Sequence, residues 1–351
     1  MQKIVAVIGC GRIAVGAHLP ALKKMEDVRI KYACDLIVEK AEKAVAEFGA
    51  EQAITDYKIA LADPEVQTVF VLTPNYAHYV VTMDALRAGK HVFCEKPITV
   101  NYKLSCEMAQ EAEKQGKLLT IGVCNRFHES VCRIAQMNKE GLLGNIYHVY
   151  CSFRAHRSIP GLGGAFTNKK ESGGGVLIDW GIHYLDLILY ILGGVELKSV
   201  TANTYSEMAK DMAAYQYKSM WAEDTKRIED GVNDVDDFVT GYIRTNKASI
   251  SFNGAWAENI KDGGMFIDFM GDKCGARLQY GGKFTLFRGD TLETVEPEYD
   301  LNNMYLDEDI AFIESTETGV KGRSHIDNVL ESAKLLDGLY QSAEKKQEIA
   351  Y

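Results

Sequence analysis

The sequence predicts an α/β domain built on a doubly wound parallel sheet, followed by an α+β domain whose large, mostly antiparallel open sheet is flanked by helices. Three observations predict it. At 351 residues the chain is long for one domain. Its first third alternates short, near-continuous apolar runs with amphipathic stretches, the pattern of a parallel sheet covered on both faces. Beyond that, the apolar runs lengthen and alternate with polar residues, as in an antiparallel sheet with one covered face.

Taken in order, Lys3–Ile8 reads as a strand, Ala14–Lys24 as a helix, Arg29–Cys34 as a strand and Val38–Phe48 as a helix. A short helix over Tyr57–Ala62 precedes a strand over Thr68–Leu72. Helix Ala77–Ala88, strand His91–Cys94, helix Tyr102–Gln115 and strand Leu118–Gly122 complete the first series. After a helix near Ser130–Glu140, strands are expected at Ile146–Arg154, Val195–Asn203, Asp237–Arg244, Ala248–Trp256, Gly264–Met270 and Ala276–Tyr280. A final helix spans Ile326–Lys345, and residues 204–234 are the least regular stretch.

Composition excludes several classes of partner. Acidic residues outnumber basic ones 49 to 39, with no long Lys/Arg run, which argues against nucleic acid or an anionic membrane. The apolar start ends at a glycine turn without a small-residue cleavage site, and no stretch approaches the roughly 18 apolar residues of a bilayer span. The eight cysteines form no C-x-x-C pair and read as reduced, buried small hydrophobes. A cytoplasmic protein without a zinc site is expected.

The first strand runs into Gly9-Cys10-Gly11-Arg12-Ile13-Ala14. This is G-x-G-x-x-A, the dinucleotide fingerprint of a Rossmann domain. The first glycine makes the tight turn, the second lets backbone approach a pyrophosphate, and Ala14 permits close helix–strand packing. Backbone N–H groups at the helix start then meet the negative charge. Asp35 ends the second strand, where an acid binds ribose hydroxyls and would repel a 2′-phosphate. NAD is therefore favoured over NADP, although the Arg12 guanidinium is able to tolerate the phosphate. The alternative for Asp35 is a cap on the next helix.

A second signal is Lys96, in His91-Val92-Phe93-Cys94-Glu95-Lys96-Pro97. Proline ends the strand there, and a lysine at the carboxyl end of such a strand points into the ligand crevice. With these pieces the chain resembles the glucose–fructose oxidoreductase/inositol dehydrogenase (Gfo/Idh/MocA) family of NAD(P)-dependent oxidoreductases. The resemblance rests also on His18-Leu19-Pro20, Thr73-Pro74-Asn75 with His78, Ala88-Gly89-Lys90, and Gly173-Gly174-Gly175 running through Asp179, His183 and Asp186. It implies an NAD(P)-binding domain over 1–123 and a substrate-binding and oligomerisation domain over 124–351, with the nicotinamide between them. By resemblance Thr73, Pro74, Asn75 and His78 line the cofactor cleft. Glu95 and Lys96 lie near the nicotinamide ribose, Lys96 reaches the substrate, and Asn125 and Arg126 contact cofactor or substrate.

Oxidising a secondary alcohol needs a hydride acceptor, a proton acceptor and a group that stabilises the alkoxide. Asp179 and His183 are spaced i, i+4 and share a face if helical. Imidazole suits the proton role because it titrates near neutrality. His183 is expected to exchange the hydroxyl proton, Lys96 to stabilise the oxygen or relay the proton, and Asp179 to position the sugar or orient the pair. The bland alternative for His183 is a satisfied core histidine. A metal held by Asp179, His183 and Asp186 is not expected, since no fourth ligand is supplied and hydride transfer needs none. His156 is a further substrate contact or a surface histidine. Tyr205, Tyr215, Tyr217 and Trp221 either line a glycoside-sized pocket, or pack on the domain or fill a subunit interface.

The expected activity is NAD-dependent oxidation of a secondary hydroxyl of a sugar, cyclitol or glycoside, with C3 of a glycoside a natural target. The alternatives are a redox-cycling glycosidase or lyase with tightly held NAD, and a non-catalytic dinucleotide-sensing regulator. A broad sheet with one uncovered face implies a homo-oligomer, a dimer or tetramer.

Overall fold

The computed structural model describes residues 2–99, 101–218, 220–222, 228–261 and 263–351, which form two compact units. The first comprises residues 1–127 together with 303–330, and the second 128–302 together with 331–351. Where the sequence reading places one division after residue 123, the chain crosses between the units three times, because it returns to its first unit before ending in the second.

In the first unit six strands form one parallel sheet: β1 (Lys3–Ile8), β2 (Val28–Cys34), β3 (Gln52–Ile54), β4 (Thr68–Val71), β5 (His91–Glu95) and β6 (Leu119–Gly122). Their order is β3-β2-β1-β4-β5-β6, so the winding reverses between β1 and β4. Such a reversal is where doubly wound sheets bind ligands, beyond the carboxyl ends of the strands. The connecting helices are α1 (Leu19–Lys23), preceded by a π-turn over Ala14–His18, α2 (Val38–Phe48), α3 (Tyr57–Ala62), α4 (Asn75–Arg87) and α5 (Tyr102–Gln115). Val5, Val7, Phe70 and Phe93 form the buried core with Phe312 and Ile313 of a returning helix.

Sequence periodicity misses that helix. Residues Met304–Thr318 are helical, starting from Asn303, whose side chain accepts from the Leu306 N–H, and ending at left-handed Gly319. The apolar stripe is interrupted because Glu308 and Asp309 are buried on it beside Phe312 and Ile313. A charged pair in the core breaks the pattern by which amphipathic helices are read.

The second unit holds the other nine strands: β7 (Ile146–Arg154), β8 (Leu197–Tyr205), β9 (Phe238–Thr245), β10 (Ser249–Ala255), β11 (Met265–Gly271), β12 (Cys274–Gln279), β13 (Phe284–Arg288), β14 (Thr294–Val295) and β15 (Ile349–Ala350). They form one sheet in the order β14-β13-β12-β11-β7-β10-β9-β8-β15, antiparallel except where β7 meets β10. The short strands β13, β14 and β15 lack a legible alternation and were not expected. Helices α6 (Glu129–Lys139), α7 (Lys169–Ser172), α8 (Ile182–Leu192) and α10 (Leu330–Lys345) belong to this unit except for the first residue of α10. The returning helix Met304–Thr318 is α9. Along β10 the alternation holds: Ile250 and Phe252 are buried while Ser249 and Ser251 are half-buried. Contrary to the sequence expectation, residues 169–192 are long and apolar enough to cross a membrane by length and composition, but most of them are buried in this unit's core.

Candidate active site

The glycine loop has the geometry a dinucleotide requires. Gly9 is left-handed at φ +96°, and a Cβ there would stand 2.5 Å from the Leu72 carbonyl oxygen, so only glycine makes this turn. Gly11 has open space where a side chain would be, which leaves room for a pyrophosphate at the helix start. Asp35 follows β2 and is tied to the same loop: its carboxylate accepts from the Cys10 N–H at 2.9 Å and from the Ile37 N–H at 2.9 Å. The second bond makes a local turn and does not cap α2, whose N-cap is Ile37. Each oxygen retains capacity for a ribose hydroxyl. The Thr73 hydroxyl, beyond β4, is buried without a partner among the described residues. These residues fit a bound NAD(P).

Behind the cleft turns, several side chains expected to face the cofactor turn inward. His78 is 1% exposed, with Nδ1 2.7 Å from the Pro97 carbonyl and Nε2 2.9 Å from the Thr73 carbonyl. It therefore clamps two turns together and does not line the cleft. Two carbonyl partners require two N–H donors, and that favours imidazolium. Burial opposes the charge, yet Cys94 and the carbonyls lift the group to about 9. Arg126, expected to bind substrate, is 3% exposed, and its guanidinium donates to the carbonyls of Arg323 at 2.7 Å and Asn328 at 2.9 Å. It fastens the returning segment to the first unit. Asn125 is buried beside it.

Glu95, expected near the nicotinamide ribose, is buried. Its carboxylate does not reach outward: Oε1 lies 3.0 Å from His18 Nε2, and Oε2 accepts the Lys96 backbone N–H at 2.8 Å. His18 in turn places Nδ1 2.9 Å from Asp309 of α9. Lys96 itself is half-buried, one residue beyond the end of β5. Pro74 and Arg12 are exposed, and Ile13 and Asn75 half-buried, around the same carboxyl ends.

In the second unit Asp179 and His183 are half-buried while Leu177, Ile178, Ile182 and Tyr184 beside them are buried. Asp179 lies in a π-turn, Leu177–Gly181, which passes directly into α8 carrying His183. Such π-bulges recur at functional sites. The start of this segment is fixed by Asp236, which is fully buried. It accepts from the N–H groups of Gly175 at 2.8 Å and Leu177 at 2.9 Å, and from the Tyr340 hydroxyl at 3.0 Å. Side chains at Gly174 and Gly175 would collide with Tyr340 and with the Asp236 backbone. Asp186 accepts from the Ser332 hydroxyl at 2.6 Å in the core, a structural role.

His156 is half-buried and donates from Nδ1 to the Glu258 carbonyl at 2.9 Å. Of the aromatic stretch, one ring is buried and three are exposed. Tyr215 is buried under the Arg157 guanidinium, Tyr205 meets Phe238 edge-on, and Trp221 meets Phe166 edge-on. Tyr205, Tyr217 and Trp221 stay exposed, and residues 219 and 223–227 lie outside the described residues.

Residues 3–123 match the model of an oxidoreductase family with an NAD-binding Rossmann fold, GFO_IDH_MocA, and residues 131–277 match its C-terminal domain. A D-glucoside 3-dehydrogenase from Escherichia coli (strain K12) is 31% identical over 341 residues, 97% of this chain and 95% of that protein. This chain belongs to the Gfo/Idh/MocA family. It is an NAD(P)-dependent oxidoreductase of the sugar and cyclitol dehydrogenase class, acting on CH–OH groups. Another relative, the scyllo-inositol 2-dehydrogenase (NADP(+)) IolW of Bacillus subtilis, is 27% identical over 58% of this chain and 55% of its own. Two solved structures share the fold. Levoglucosan dehydrogenase, in complex with NADH and levoglucosan, has a TM-score of 0.84 at 19% identity, covering 100% of this chain and 99% of its own. The aldose–aldose oxidoreductase of Caulobacter crescentus has a TM-score of 0.82 at 22% identity, covering both chains fully.

In this Gfo/Idh/MocA member, sequence reading passed over His18, noted only as part of a motif, and Asp309. His18 lies on an otherwise apolar helical face, four residues after Ala14, which is a legible signal of a satisfied buried histidine. For Asp309 the legible signal was the pair of caps, Asn303 and Gly319, that bound its helix.

Proposed function

We propose that this chain oxidises the C3 hydroxyl of a D-glucoside to the ketone with NAD, and runs the reverse reduction with NADH. The observation that carries this reading is the end-to-end match to the D-glucoside 3-dehydrogenase, which covers 97% of this chain and so extends through both units. The exposed rings of Tyr217 and Trp221 are apolar faces suited to a sugar ring. Asp35 favours NAD, because its carboxylate would repel a 2′-phosphate.

Bound NAD supplies the acceptor for the hydride leaving C3. In our reading the His183 imidazole takes the hydroxyl proton during oxidation and returns it during reduction. The Lys96 ammonium stabilises charge developing on the same oxygen, and Asp179, one turn before His183, orients the sugar or the imidazole. Cofactor-stripped enzyme incubated with NAD and a panel of glucosides, free hexoses and inositols, followed at 340 nm, tests the reading. Turnover is expected with glucosides above the other classes. Turnover confined to inositols, or none with any glucoside, would overturn it.

A further inference from the structure

We propose that His18 and Asp309 are positioning residues for Lys96, acting through the Glu95 carboxylate. The proposal rests on the reading of Lys96 as the group that meets the substrate oxygen, and adds to it two residues remote in sequence. His18 is fully buried and holds a carboxylate at each ring nitrogen: Asp309 at 2.9 and 3.2 Å from Nδ1, and Glu95 at 3.0 Å from Nε2. A neutral imidazole has one N–H and would leave the other nitrogen lone pair facing an anion. The three groups must therefore share two protons, as an imidazolium between two carboxylates or as one neutral carboxyl beside a neutral ring. Both arrangements carry one net negative charge. Burial disfavours the imidazolium, but Asp309 and Glu95 outweigh it and hold His18 well above its ordinary range.

The triplet transmits order in one direction. The Glu95 Oε1 is taken by His18 and Oε2 by the Lys96 N–H at 2.8 Å, so the carboxylate is locked in one rotamer and grips the backbone from which Lys96 projects. The glutamate lies flat on β6, where a Cβ at Gly122 would stand 2.8 Å from Oε1. Phe93 at 5.1 Å, Tyr305 at 5.8 Å and Phe70 at 6.2 Å from the His18 ring wall the triplet from water. Buried ion clusters are a poor way to gain stability, since apolar residues of the same volume often do as well. A locked geometry at Lys96 is what this cluster supplies and apolar packing would not. Because a misplacement of about 1 Å costs on the order of 100-fold in rate, the lock has a measurable consequence.

The test compares Asp309→Asn and His18→Gln with Phe312→Leu, which loosens the same α9 core without touching the triplet. Thermal unfolding, NADH affinity by fluorescence and kcat with methyl β-D-glucoside are measured for each. The NMR signal of ¹³C-dimethylated Lys96 in the NADH complex, assigned with Lys96→Arg, is recorded in parallel. D309N and H18Q are expected to bind NADH within about threefold of wild type, to lose roughly 10- to 100-fold in kcat, and to shift or split the Lys96 signal. F312L is expected to melt earlier with kcat and the signal unchanged. Retention of kcat within about twofold and an unmoved signal in D309N and H18Q would overturn the proposal, as would an equal loss of kcat in F312L. Should D309N not fold, Glu95→Gln, which removes the anion facing His18 but keeps an acceptor for the Lys96 N–H, carries the same expectation. If wild type turns over no glucoside, the functional reading fails while the Lys96 signal still decides this one.

Discussion

The two units hold their candidate functional groups in place by different means. The first buries charge: His18, Glu95 and Asp309 lie together in its aromatic core, with His78 and Arg126 buried and spent on backbone carbonyls. In the second, two buried carboxylates sit on neutral donors, Asp186 on the Ser332 hydroxyl and Asp236 on the first N–H groups of one helix start, beside the stacked rings of Phe153, Tyr184 and Tyr280 and glycines that admit no side chain. The difference follows from what each must position. Lys96 stands at the end of a strand, where the ladder stops and only side chains can restrain the turn. Asp179 and His183 stand on a helical segment, so restraining its first backbone N–H groups restrains both.

The largest expected effects test whether both devices serve catalysis. Lys96→Ala and His183→Ala should each lower kcat by about a thousandfold or more while leaving NADH affinity within a few-fold. Retained turnover in either would break the assignment for its unit. Next, Gly175→Ala should destabilise by about 3 kcal/mol or more, because the new methyl meets the Asp236 backbone. Gly11→Ala, where space is open, should cost stability little and NADH affinity much. Urea unfolding with fluorescence titration separates the two outcomes, and equal stability losses would erase the contrast. Smaller again, Asp35→Ser should narrow the preference for NAD over NADP by about tenfold, read from the two KM values.

The smallest effect is a pH dependence within the first unit. His91 accepts the Leu118 N–H at Nδ1 and is held down to about 4, by burial first and then by Lys117 and Lys3. A histidine depressed in the folded state adds stability above its ordinary 6.5, and that contribution is lost as pH falls toward 4. The urea midpoint of wild type should therefore drop between pH 7 and 4.5, and His91→Gln should drop less. Parallel curves would show that another group governs the acid limb.

Local chemistry was legible. The Gly9–Ala14 turn, Asp35 behind its strand and Lys96 at a strand end each follow from local sequence pattern. What was not legible was the direction in which flanking side chains turn. Glu95, His78 and Arg126 sit beside cleft residues in sequence, yet all three face inward, because each has a partner elsewhere in the chain: His18 for Glu95, Pro97 for His78, and Arg323 and Asn328 for Arg126. The aromatic stretch showed the same ambiguity. Its composition suits a sugar face, but Tyr215 is buried under the Arg157 guanidinium and used for packing.

By itself the sequence determined the two sheet types, the dinucleotide loop and the polar groups available for chemistry, since these depend on periodicity and on backbone conformations that particular residues permit or forbid. Tertiary structure alone decided that the chain returns to its first unit through α9, and that Asp309 meets His18 across 291 residues of separation. No local pattern encodes such a contact. A buried carboxylate looks in sequence like a solvated one until the partner that neutralises it is in place.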